Sequence, residues 1–257
     1  MYQQATAPLT IGGVLDNGFK LFRECFSKVF LFALAGALVI APINLLGPYF
    51  QNNVPGPGIL ATVVCAIIVA AIFAGVIYGA LVARMDSVAR AAPLSVGEAL
   101  AIGLRRLPAM FVCGLAVGIV VVVGLLLLLI PGLIFMIWFA FAPAAVIIER
   151  IGPFASLSYS RALVRGHWWR TAALLTIVGI IVIVIYFVLV IALSVLVVSN
   201  PGTFADGQAP WYIQLVFVPL LSGIVTPLTY SFVLSIYYDL KMRLEGGDLA
   251  ARIAATA

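Results

Sequence analysis

The stretch LSVGEALAIGLRRL, residues 94–107, stands between two long apolar runs, 59–83 and 109–130. It opens with a serine, carries a glutamate three residues later, and ends on paired arginines. Ser95 and Glu98 have the spacing of a capping box, which satisfies free N–H groups at a helix start. Val96, Ala99, Leu100, Gly103, Leu104 and Leu107 then recur at i, i+3, i+4, i+7, i+8 and i+11, one apolar face of a helix. The segment reads as a short amphipathic helix at a membrane surface, feeding the apolar run that follows.

Composition supports a lipid environment. The chain has 257 residues, 65% hydrophobic and 9% charged, whereas soluble domains run near ~45–50% and ~25%. A soluble fold has no interior large enough for that much apolar surface. About 20 apolar residues cross a bilayer as a helix, and six segments qualify: 29–46, 59–83, 109–130, 132–148, 171–198 and 211–238. Continuous runs favour helices over the alternating strands of a barrel. Asp16 and Glu24 precede the first run, which is unlike a cleavable leader, so that span is expected to act as an uncleaved anchor.

Charge is distributed one way. All 14 Lys and Arg lie before span one, after spans two and four, or after span six. The other three connections, PYFQNNVPGPG, Pro131-Gly132 and SNPGTFADGQAP, hold none. By the positive-inside rule both termini are expected in the cytoplasm. Eight of the nine acids share that side, Asp206 being the exception. The net charge of +5 thus reflects topology and an anionic lipid surface. No basic run or separate basic domain suggests nucleic acid.

The opening stretch recurs. LTIGGVLDNGFKLF (9–22), LSVGEALAIGLRRL (94–107) and LSYSRALVRGHWWR (157–170) share L-[ST]-[IVY]-[GS]-x-[VA]-L-x-x-G. Each stands before an odd-numbered span. The expected architecture is one all-α polytopic domain, 1–257, built as three units of interfacial helix plus transmembrane hairpin. The interfacial helices are placed at about 9–24, 94–107 and 156–170, and a charged cytoplasmic tail at 239–257. Thr10, Ser95 and Ser158 are the expected N-caps.

Candidate contact residues follow from spacing. Gly18, Gly103 and Gly166 fall on apolar helix faces, and Gly75, Gly79, Gly114 and Gly118 belong to small-residue stripes, so all seven are expected to pack helices closely. The expected headgroup or partner surface comprises Lys20, Arg105, Arg106, Arg161, Arg165, Trp168, Trp169 and Arg170. Basic residues beside an anionic leaflet and indoles at headgroup depth suit that role. Span six carries Pro219 and Pro227 with Ser222, Thr226, Thr229 and Tyr230. It is either a broken helix lining a solute cavity or a kinked packing helix with locally bonded hydroxyls.

No Asp, Glu, Lys, Arg or His falls within a predicted span, which argues against a proton-coupled carrier or ion pump. G-x-x-x-x-G-K-[ST], H-E-x-x-H, G-x-S-x-G and C-x-x-C are absent. With a single histidine, His167, and three scattered cysteines, no catalytic residue, metal site or cofactor is expected.

The helix before span one, PGLIFMIWFAFAPAAVIIER (131–150), GPFASLSYSRALVRGHWWR (152–170) and YYDLKMRLEGGDL (237–249) resemble a bacterial family. It is the six-span membrane domain found in some glycerophosphoryl diester phosphodiesterases and in stand-alone membrane proteins. The resemblance covers about residues 9–249. It implies an inner-membrane protein with cytoplasmic termini. The hydrolase of the enzyme-linked members is a separate soluble domain, for which this sequence has no counterpart. The expected function is therefore a non-enzymatic module that scaffolds a partner or engages phospholipid through its basic face, as a monomer or a homo-oligomer. The alternative is a carrier or channel for a small or lipid-like solute using span six.

Overall fold

The computed structural model describes residues 8–44, 56–198 and 213–256. Most of PYFQNNVPGPG, and all of SNPGTFADGQAP with Asp206, lie outside them. The described residues are helical, with no strand among them. The elements are α1 (Ile11–Asn44), α2 (Pro57–Ala89), α3 (Val96–Leu127), α4 (Leu129–Phe139), α5 (Ala142–Ile148), α6 (Pro153–Val164), α7 (Trp168–Val198), a π-helical turn (Ile213–Phe217) and α8 (Val218–Thr256). Six helical stretches are long and apolar enough to cross a membrane, so the chain is a multi-pass membrane protein. Its exposed surface is accordingly apolar: Leu126 to Ile130, at the α3–α4 hairpin, are each about 67–81% exposed, a skin that only lipid or a partner can cover.

The first two surface helices are not separate elements. α1 runs unbroken for 34 residues and α3 for 32, where separate helices ending near residues 24 and 107 were expected. At about 1.5 Å per residue each is about 50 Å long, against a hydrocarbon core of about 30 Å. Nothing between the amphipathic part and the span breaks either helix, and Pro108 is accommodated inside α3.

Only the third surface helix, α6, stands alone. It starts at Pro153, earlier than expected, because a proline at the first helical position lacks only an N–H that would be unpaired anyway. Ser158 is therefore no N-cap. It lies inside α6 and donates to the Phe154 carbonyl. α6 ends before Gly166, whose φ of +84° turns the chain into α7. Thr10 and Ser95 do cap: Gly13 N–H donates to Thr10 Oγ1 at 3.2 Å, and Ser95 and Glu98 form the reciprocal box.

The fourth span also differs from its expected form. It begins at Leu129 and divides into α4 and α5 around Ala140–Phe141. Pro131 and Gly132 are not its turn but sit in the first turn of α4, where proline is tolerated. The turn is Leu128, in extended conformation. It is tight because Gly124 and Gly132 lie against each other; a Cβ on Gly124 would come within 2.9 Å of Gly132 Cα.

α8 is one helix from Val218 through Thr256, so the charged segment from residue 239 onward continues the helix of the sixth span without a break. The main core gathers at the charged end, where Tyr237, Phe141, Phe232, Met85, Leu21 and Leu163 are fully buried. Among the described residues the most extensive helix–helix packing is α1 against α8. Phe232 lies over Gly18, and Ser235 donates to the Val14 carbonyl at 2.7 Å.

Candidate functional site

The charged end is organised around three consecutive residues of α8: Tyr237, Tyr238 and Asp239. Each addresses a different part of the chain. Tyr237 donates its hydroxyl to Glu149, just beyond α5. Tyr238 donates to Asp86 near the end of α2. The Asp239 carboxylate, whose side chain is fully buried, accepts from the Leu9 N–H at 2.8 Å, from Arg170 Nη2 at 3.1 Å and from Arg243 Nε at 3.0 Å. The two arginines also donate to the Leu9 carbonyl, at 2.7 and 2.8 Å. Asp239 thus ties the start of α1, the start of α7 and its own helix.

The other two acids are also paired. Asp86 takes Arg90 Nε at 2.9 Å, and Glu149 takes Lys241 Nζ at 2.7 Å. Burial pushes the Glu149 carboxyl up. The hydrogen bonds from Lys241 and Tyr237, and the Lys241 and Arg90 charges, outweigh that push and hold it below the usual glutamate range. Each acid follows an even-numbered span or lies near its charged end. These residues lie at span ends in the sequence, but apart from the i,i+4 partners Arg90 and Arg243 the groups that they meet lie 69 to 230 positions away in the chain.

Leu9 and Leu94, the first residues of the two capped copies, are held alike. The Leu94 N–H donates to Ser87 Oγ at 3.1 Å, and its carbonyl accepts from Arg84. Arg84 also reaches the Lys28 carbonyl at 3.0 Å. In both copies a side chain from a preceding or neighbouring span fastens the backbone just before the N-cap. Leu157 lies within α6, so the third copy lacks this arrangement.

Of the seven glycines expected to pack, four meet neighbours. Gly18 faces the Phe232 ring, and Gly75 faces Leu107. Gly79 and Gly103 face each other across α2 and α3, where a Cβ on Gly103 would lie 2.2 Å from the Val76 carbonyl oxygen. Gly114 and Gly118 have nothing within 4 Å and face outward, and Gly166 serves a turn. A small-residue stripe identifies a face; which face meets a helix depends on how the bundle closes.

The expected basic surface divides in two. Arg170 points inward to Asp239, so it belongs to the core clamp rather than the surface. Lys20, Arg105, Arg161, Arg165 and Trp169 are exposed, while Arg106 and Trp168 are half-buried. The Arg161 guanidinium stacks on the Trp138 ring, 4.6 Å from its centroid. Trp168 and Trp169 meet edge to face at 4.8 Å. No described carboxylate pairs with Arg161 or Arg165.

Hollows lie between the helices at several places. One, of about 460 Å³, lies between α1, α2 and α8 and is lined by Phe32, Gly36, Gly75, Tyr78, Ser222 and Thr226 among others. Thr229 and Tyr230 do not line it. Thr229 donates to the Val225 carbonyl at 2.9 Å, and Tyr230 packs edge to face on Tyr78 at 4.9 Å. Ser231 Oγ donates to the Pro227 carbonyl at 2.7 Å, so hydroxyls around the second proline are bonded locally. Two further hollows adjoin at Trp138 and Arg165, one of them reaching Arg161, and a smaller one of about 250 Å³ lies beside Asp86, Ser87 and Arg90.

With this geometry in view, the chain matches the family described as Domain of unknown function (DUF7847) over residues 60–240. The matched stretch runs from α2 through the Tyr237-Tyr238-Asp239 cluster. No curated protein and no solved structure matches.

Proposed function

We propose that this chain, which belongs to the DUF7847 family, is a non-enzymatic module of a bacterial inner membrane that engages anionic phospholipid through a basic cytoplasmic face. The observation that carries the reading is the fate of the acids. Asp86, Glu149 and Asp239 are paired with Arg90, with Lys241, and with Arg170 and Arg243, while Arg161 and Arg165 remain exposed with no described acidic partner. Such a surface attracts an anionic leaflet by about 1 kcal/mol per basic residue. The segregation of all 14 Lys and Arg supports cytoplasmic termini. The likeness to membrane domains linked to phosphodiesterases, the three-unit organisation and a scaffolding role toward a protein partner or second copy belong to the same proposal. The parallel fastening of Leu9 and Leu94 supports the repeat.

Native mass spectrometry tests the lipid reading. Protein taken in mild detergent from equimolar phosphatidylglycerol and phosphatidylethanolamine is expected to retain the anionic lipid several-fold over the zwitterionic one. Equal retention of the two sinks it.

The hollow lined by Ser222 and Thr226 favours a second reading, a carrier or channel for a small or lipid-like solute. On the leading reading that hollow excludes water. Ser222→Cys in a cysteine-free background then stays unlabelled by a charged methanethiosulfonate reagent applied from either side. Rapid labelling would favour transport.

A further inference from the structure

Around Trp138 two hollows adjoin, of about 560 and 430 Å³, sharing Trp138 and Arg165. Their chemistry differs. The smaller is walled by Ser158, Arg161 and Arg165 beside the Trp138 ring. The larger is walled by Ile130, Leu133, Ile134, Trp168 and Trp169 with Gly166, and its side chains are apolar apart from Arg165 and the indole N–H groups. Together they form one cleft, cationic at one end and greasy along the other. Ile130 and Trp138 are eight residues apart on α4, so the greasy part extends about 12 Å along the helix.

Arg161 is held by its stack on Trp138, which leaves the edges of its guanidinium free to donate. Neither it nor Arg165 has a described carboxylate to satisfy. Planar guanidinium forks match phosphate oxygens.

We propose that this cleft is a binding site for one anionic glycerophospholipid. Its phosphate sits at Arg161 and Arg165, and an acyl chain lies along Leu133 and Ile130. The proposal rests on the phospholipid-engaging role above and narrows it from a face to a site. The apolar wall selects a lipid rather than a free phosphate, and the two cations select an anionic headgroup over a zwitterionic one.

The test compares variants of the full chain by native mass spectrometry after titration with phosphatidylglycerol, phosphatidylcholine or glycerol 3-phosphate. The wild type is expected to hold one phosphatidylglycerol per chain, tighter than phosphatidylcholine by about tenfold, the effect of one good interaction, and to bind glycerol 3-phosphate far more weakly. Arg161→Gln/Arg165→Gln abolishes the preference, and Leu133→Trp blocks the apolar wall and lowers occupancy. Arg23→Gln, at an exposed cation outside the expected binding surface, leaves both unchanged.

If the preference survives in Arg161→Gln/Arg165→Gln, or is lost equally in Arg23→Gln, the cleft is overturned while the basic-face reading stands. If glycerol 3-phosphate binds as well as the lipid, the cleft is a phosphate site and the proposal fails. If no lipid preference exists in the wild type, both readings fail.

Discussion

Asp239→Ala is expected to destabilise the protein by about 3–5 kcal/mol, the cost of removing one partner from a buried ion pair. In mild detergent this lowers the melting temperature by roughly 10 °C for a chain of this size. The physical reason lies in what remains. Arg170 and Arg243, each about one-fifth exposed, would face each other without the carboxylate between them, and the Leu9 N–H would lose its acceptor. The start of α1 would come loose from α7 and α8 together. Replacing all three charged residues with apolar ones of similar size, Asp239→Leu/Arg170→Met/Arg243→Leu, should recover much of the loss, because no charge is then left buried and alone. An Asp239→Ala melting temperature within a degree or two of wild type would show that the clamp does not hold these helices.

Gly103→Ala carries the second large effect, and its sign is informative. In a helix, alanine is favoured over glycine by up to ~1 kcal/mol. At Gly103 the new methyl would meet the Val76 carbonyl oxygen at 2.2 Å and the Ala80 nitrogen at 2.9 Å. Both are backbone atoms of a helix, which cannot rotate aside as a side chain can. Overpacking of this kind costs about 1–3 kcal/mol or more, so the steric cost outweighs the gain and α2 and α3 are pushed apart. Gly114→Ala and Gly118→Ala, with open space around each, should instead raise the melting temperature slightly. A thermal-shift series over the three variants checks the contrast; if all three move the same way, the close approach of α2 and α3 at Gly103 is wrong.

This contrast shows where single-sequence reading reaches its limit. Gly103 and Gly114 sit on equally plausible small-residue patterns in one helix, and only the placement of α2 separates them. Arg165 and Arg170 belong to one basic stretch, yet Arg165 is exposed while Arg170 turns in to Asp239. The repeat pattern placed Ser158 level with Thr10 and Ser95. Pro153 started α6 earlier and moved that serine into a helix interior. The candidate cleft was half legible. Its arginines and tryptophans stood out as a cationic, aromatic patch, but Ile130, Leu133 and Trp138 looked like ordinary span residues.

What the chain states locally, it states clearly. Six apolar stretches, the caps at Thr10 and Ser95, and the gathering of positive charge into alternate connections depend on neighbours a few residues apart or on composition alone. The ion pairs Arg170–Asp239 and Lys241–Glu149, the hydrogen bond from Tyr238 to Asp86, the choice among glycines and the cleft beside Trp138 depend on residues that meet only when the bundle closes. Charge and hydropathy mark which residues are costly to bury, and tertiary packing decides which partner makes that burial tolerable.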